Sequence, residues 1–254
     1  MLLRLLSLIA IGSSFALAQA PSPAQAKPVP NAEPAAEPVK PSVKKLDGTR
    51  YQIGDVTFDQ QSREIRFPAE VGEPNRTLEF LVVHENGKTY ESLLSSKISA
   101  THLSLAFNLL RYLPSRELYP LPNGRGGVTD KFPEVAADVK ARARINIEVE
   151  WTADGQVRRV PANDWIQHSA KTTAMPAGPW VYGGSEFFEG KYIPETTGDI
   201  IAILVAPSAL INYPGKDNDD GNVWTTFAAR IPPAGTRVTV IITPIHNTPP
   251  LAKP

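Results

Sequence analysis

The chain has 254 residues, of which 42% are hydrophobic, with 26 basic and 26 acidic side chains and no cysteine. That length and apolar content support a full hydrophobic core, and the balanced charge supplies no field to attract nucleic acid, so none is expected as a partner. Without cysteine, disulfides, thiol redox chemistry and iron–sulfur clusters are excluded.

Met1 to Ala18 reads as a secretory signal: Arg4, the apolar run Leu5 to Ala10, then small residues. Cleavage is expected after Ala18, since the cut after Ala20 would place Pro21 where proline is poorly accepted. The apolar run is too short to span a bilayer comfortably, so no transmembrane anchor is expected in the mature form. A secreted or periplasmic protein follows. Residues 19–44 are rich in Pro and Ala, lack aromatics and read as a disordered tether. A globular domain is expected over 45–247, and 248–254 read as a loose tail.

The domain opens with a hairpin, Asp55 to Phe58 and Glu64 to Phe67. Next comes Leu78 to Pro114, whose Asn86-Gly87 pair predicts a type I′ turn between two antiparallel strands. Val82 then pairs with Glu91, and Phe80, Val82, His84, Glu91 and Leu93 share one face, with Glu79 on the other. A helix is expected from about Ser99, capped by Ser99 or Thr101 and stopped before Pro114. Leu103, Ala106, Phe107 and Leu110 line one side, and Leu105, Leu109 and Tyr112 the other, which predicts a helix covered on most of its surface. His102 sits in its first turn, where the helix dipole favours the neutral ring.

Ser115 to about Ala141 reads as an irregular stretch: a lid, a binding loop or an insertion. Lys140, Arg142 and Arg144 alternate with alanine and read as a solvated sheet face. Arg144 to Trp151 alternates with Ile145, Ile147, Val149 and Trp151 inward, and Asp154-Gly155 turns it into Val157 to Val160. Further strands are expected at Trp180 to Tyr182, Ile200 to Val205, Val223 to Ala228 and Thr236 to Thr243. About nine strands against one helix predict a mainly β (β-rich α+β) fold: antiparallel sheets in a sandwich- or barrel-like single domain with one buried helix.

Several segments together resemble the YdjY domain of exported bacterial proteins: Phe67-Pro68-Ala69, Leu78-Glu79-Phe80, Tyr90-Glu91-Ser92-Leu93-Leu94, Val160-Pro161-Ala162-Asn163-Asp164-Trp165-Ile166 and Trp180-Val181-Tyr182-Gly183-Gly184-Ser185. His102-Leu103 and the Gly235-Thr236 to Pro244 ending add to it. The likeness runs from about residue 50 to 244 and departs from the family pattern at Tyr90, where histidine is usual, and at Gly183, where threonine is. It implies the fold and an exported location, and supplies no mechanism.

The sharpest chemical set is Glu79, His84, Glu91 and His102. Carboxylates with imidazoles suit a divalent metal or acid–base catalysis, but no metal-ligand spacing appears, and polar groups bridging a core are the plainer reading. Ser185 follows two glycines, yet a nucleophile elbow needs glycine where Phe187 stands. Asp217, Asp219 and Asp220 form an oxygen-rich loop that could take calcium but lacks EF-hand spacing. Trp165, Trp180, Tyr182, Phe187, Phe188 and Tyr192 are either core or, if exposed, a surface for a peptide or glycan. Two functions stay open. One is an exported, non-catalytic binding or structural module for an envelope protein, peptide or glycan. The other is a metal-dependent hydrolase using the carboxylates and histidines of the 78–103 hairpin–helix unit.

Overall fold

The computed structural model describes residues 42–245, so the readings of the signal, most of the tether and the tail fall outside it. A meander of β1 (Val43–Asp47), β2 (Arg50–Ile53) and β3 (Val56–Asp59) leads antiparallel into β4 (Ile65–Val71). β5 (Phe80–His84), β6 (Ser92–Ser96) and helix α1 (Ala100–Leu109) follow. After a long loop come α2 (Ala137–Arg142), β7 (Arg144–Ala153), β8 (Gln156–Pro161) and β9 (Ile166–His168). Then come β10 (Trp180–Tyr182), the small hairpin of β11 (Phe187–Phe188) and β12 (Lys191–Tyr192), and α3 (Ile193–Thr197). The last four strands are β13 (Asp199–Ala202), β14 (Ile211–Asn212), β15 (Trp224–Thr226) and β16 (Arg237–Pro244).

Eight strands close on themselves in the order β4-β16-β7-β10-β14-β13-β5-β6 and back to β4. The fold is thus mainly β and barrel-like, as its alternating strands predict. Closure removes the open edges that a flat sheet would leave. β4 makes closure possible by dividing one edge: Thr57 and Phe58 of β3 pair with its first half, Ser95 and Leu94 of β6 with its second. Phe67, Leu93, Phe107, Ile147, Trp180 and Val240 belong to one continuous core. The β7–β8 hairpin forms as its Asp154-Gly155 pair demands, with φ of 53° and 74° at those residues.

The Asn86-Gly87 hairpin does not form. β5 and β6 run parallel, Phe80 beside Ser92 and Val82 beside Leu94, and residues 85–91 carry the chain back to the start of β5. Gly87 is not there for positive φ. A methyl group on it would lie 3.2 Å from the carbonyl oxygens of both His84 and Thr197, so its role is close backbone approach. The sheet is also not wholly antiparallel, since β13 and β14 pair in parallel as well.

α1 starts as expected, with the Ser99 hydroxyl accepting from the His102 N–H at 3.2 Å. It ends earlier than Pro114 requires. Arg111 takes φ 56°, and the N–H groups of Arg111 and Tyr112 close back on Asn108 O and Phe107 O. The buried Arg63 guanidinium donates to Leu110 O at 3.1 Å and Arg111 O at 3.4 Å, meeting the negative helix end with a cation. Tyr112 therefore leaves the helix to pack under Arg63, and Leu109 is 46% exposed. Only Asn108 and Leu109 of the helix are exposed, so it is covered over most of its surface, with Ala100, Leu103, Ala106 and Phe107 on its buried side. Phe107 anchors that side, stacked at 4.1 Å on Tyr182.

Lys140 and Arg142 lie on α2 instead of a sheet face, and only Arg144 enters β7. Lys140 and Arg144 both pair with Glu117, which ties the long loop to the barrel.

Candidate functional site

The parallel β5–β6 arrangement splits the predicted Glu/His set in two. Glu79 precedes β5 and Glu91 precedes β6, so the two residues lie side by side, and the Glu79 N–H donates to Glu91 O at 3.0 Å. Lys88 Nζ stands 3.6 Å from Glu79 Oε2, 3.9 Å from Glu91 Oε2 and 5.3 Å over the Phe80 ring. Burial, then the Glu79 charge and a hydrogen bond shared with Glu79, push the Glu91 carboxyl above its usual range against the pull of Lys88. Chemically this is a pair of adjacent carboxyl groups with one ammonium beside it. On its far side, Glu79 Oε1 lies against Gly221, in the loop that carries Asp217, Asp219 and Asp220.

The two histidines are at the other end of β5. The imidazole of His102 fills the space over Gly54, where a methyl group would come within 2.4 Å of Nδ1. The carboxylate it meets is Glu195, not Glu91. Glu195 Oε2 accepts from the Ser99 hydroxyl at 2.9 Å and the Thr101 N–H at 2.8 Å, closing the N-terminus of α1 from across the fold. Burial raises its carboxyl, but hydrogen bonds from Thr101 and Ser99 and the charge of His102 outweigh it and hold the group below its usual range. His84 and Glu195 line one cleft of about 310 Å³, floored by Ile98, Ala100 and Pro194. It lies where the turn after β5 meets α3, and Gly87 and Gly198 let the two backbones touch there. Sequence reasoning missed Glu195, whose short Ile193–Thr197 helix carries no local sign of a partner 96 positions earlier.

Ser185 is held by its hydroxyl, which lies 3.0 Å from both Pro207 O and Ser208 O. The acidic loop is tied up in its own turn. Asp217 O accepts from the Trp224 indole, Asp217 Oδ2 is 3.9 Å from His168 Nε2, and Asp220 Oδ1 accepts from Asn222 N–H. Asp219 is exposed. Among the described residues, no three His, Asp or Glu side chains gather to hold a metal ion.

Of the aromatic group, Trp165, Trp180, Tyr182 and Tyr192 are core. Phe187 and Phe188 are 72% and 64% exposed on the β11–β12 hairpin. Gly183 is explained by Tyr119, whose hydroxyl occupies the space a side chain would need, 2.0 Å from where its Cβ would stand. That hydroxyl accepts from Asn212 at 2.8 Å, and burial pushes its pKa up to about 12.

No helix among the described residues is long and apolar enough to cross a membrane. Among curated proteins and among solved structures, none matches the chain. Residues 56–243 match the YdjY domain family, and that span takes in the closed barrel up to the penultimate residue of β16, the carboxylate pair and the His84–Glu195 cleft. The chain belongs to the YdjY domain family.

Proposed function

We propose that the protein is an exported, non-catalytic module that binds an extended polypeptide segment of an envelope protein. The observation that carries this reading is the pair Phe187 and Phe188. Both project from a hairpin whose strands, among the described residues, pair only with each other. Burying such side chains is worth roughly 1.5–3 kcal/mol each, and here both stay largely exposed, Phe187 touching only one edge of the core at Tyr192, 5.0 Å between ring centroids. Open strand edges beside them offer main-chain hydrogen bonds to an added strand, which favours a peptide over a glycan. The separation of the carboxylate pair from the histidines removes the four-residue constellation on which a metal-dependent hydrolase would depend. Export rests on the Arg4, Leu5 to Ala10 and Ala16-Leu17-Ala18 pattern.

A photocrosslinking amino acid at position 188 is expected to capture a defined polypeptide in intact cells. One at Val157, 69% exposed on β8, is the control. Absence of a polypeptide specific to position 188 would overturn the binding reading. Mass analysis of the exported product should give Gln19 as its first residue, and recovery of Met1 on a cytoplasmic product would overturn export.

A further inference from the structure

We propose that the cleft between His84 and Glu195 is a binding site for a neutral amide, the backbone peptide group of an extended chain. The proposal deepens the peptide-binding reading and rests on it for the kind of ligand. It concerns a second place, reached from the Phe187–Phe188 hairpin through Tyr192 and α3.

The chemistry of the two walls is fixed by bonds already made. His84 Nδ1 accepts from the Asn86 N–H at 3.2 Å, so the neutral ring carries its hydrogen on Nε2. That wall presents a donor. Opposite, the Glu195 carboxylate spends lone pairs on the Ser99 hydroxyl and on the backbone and side chain of Thr101. A carboxylate offers roughly four such sites, so one remains for a donor from the cleft. The cleft therefore presents a donor and an acceptor on facing walls, with Asn86, Thr196 and Thr197 adding polar groups and Ile98, Ala100 and Pro194 the apolar lining.

Charge decides which ligand fits. The negative charge of Glu195 already sits on the positive end of α1 and beside His102, so a cation would find it compensated. An amide offers one N–H and one C=O and asks for no counter-charge. At about 310 Å³ the cleft is at the lower end of ligand sites, the size of a residue or two of chain rather than a folded partner. Its walls also meet closely at one point, since a side chain on Gly198 would lie 3.1 Å from Gly87 Cα and 3.2 Å from His84 Cβ.

The probe is N-acetyl-alanyl-alanine amide, titrated into the isotope-labelled protein and followed by NMR. Saturable shifts at the amides of Thr197, Gly198 and His84 are expected. Glu195→Gln turns the free acceptor into an NH2 donor while keeping an oxygen for the helix end. His84→Asn keeps an acceptor near Nδ1 and removes the Nε2–H. Each should weaken binding about tenfold, the loss of one hydrogen bond. The Phe187→Ser, Phe188→Ser double variant should bind the probe as the wild type does. Unsaturable shifts in the wild type, or affinity unchanged in both cleft variants whose spectra show an intact fold, would overturn the cleft proposal. Specific cross-linking at position 188 would still stand in that case, so the two readings fail separately.

Discussion

Glu91 and Glu195 lie near opposite ends of one strand and shift in opposite senses. Glu91 is raised by burial and by Glu79, so the folded state binds its proton more tightly than the unfolded chain does. Its contribution to stability is therefore present at low pH and lost as pH rises through the range just above 4.5. Glu195 is lowered, since its bonds at the start of α1 outweigh its burial. Its contribution is full above 4.5 and lost as pH falls below that value. Urea unfolding across this range should separate them. Glu91→Gln is expected to leave stability at neutral pH unchanged or higher and to flatten the upper slope. Glu195→Gln should lose about 0.5–1 kcal/mol at neutral pH, after allowance for solvent screening, and nothing once the wild-type carboxylate is protonated. Equal losses at every pH would show that Glu195 acts by packing alone.

Two turns with the same local chemistry meet different fates, and the reason lies in the elements they join. Asp154-Gly155 makes its hairpin because β8 lies at an edge, where the local turn decides the pairing. Asn86-Gly87 does not, because β5 is buried on both faces and needs a strand on each side, β13 and β6. Phe80-Leu81-Val82-Val83 is an unbroken apolar run, the mark of a strand covered on both faces, and Leu93-Leu94 in β6 is a shorter one. Read by that pattern instead of by the turn pair, β5 would have been legible as a strand buried on both faces, though its direction relative to each neighbour would not. Gly87→Ala tests the steric reading. It is expected to cost about 1–3 kcal/mol, because a methyl group there presses on backbone oxygens that cannot swing away. A neutral result would return Gly87 to the role of a flexible turn residue. The start of α1 was legible, since Ser99 is a local cap. Its early end was not, because the Arg63 cation that steadies it comes from 47 positions before Leu110. Glu195 was hidden for the same reason: contacts between distant elements leave no periodicity to read.

At the scale of the whole molecule, the alternation of β4, β7 and β16 was enough to place the fold among closed or sandwiched β structures. Closure itself was not readable, because it depends on one edge of β4 serving two partners. The strand that completes the barrel is the last. Val240 of β16 pairs with Phe67 on one side and with Val149 on the other, and it is fully buried. Strand pairing between such distant segments is slow to form and cannot begin until both are present. A chain stopped at Gly235 is therefore expected to stay open to protease along its length, while the full chain resists. Protection of the shortened chain comparable to the whole would show that the remaining strands close without it.

The placement of β16 also bears on passage through a membrane. A polypeptide threaded N-terminus first through a narrow channel must not lock into shape behind the channel. On the proposal that this protein is exported, a keystone strand so late in the chain would keep the segments before it pliable until β16 has been delivered.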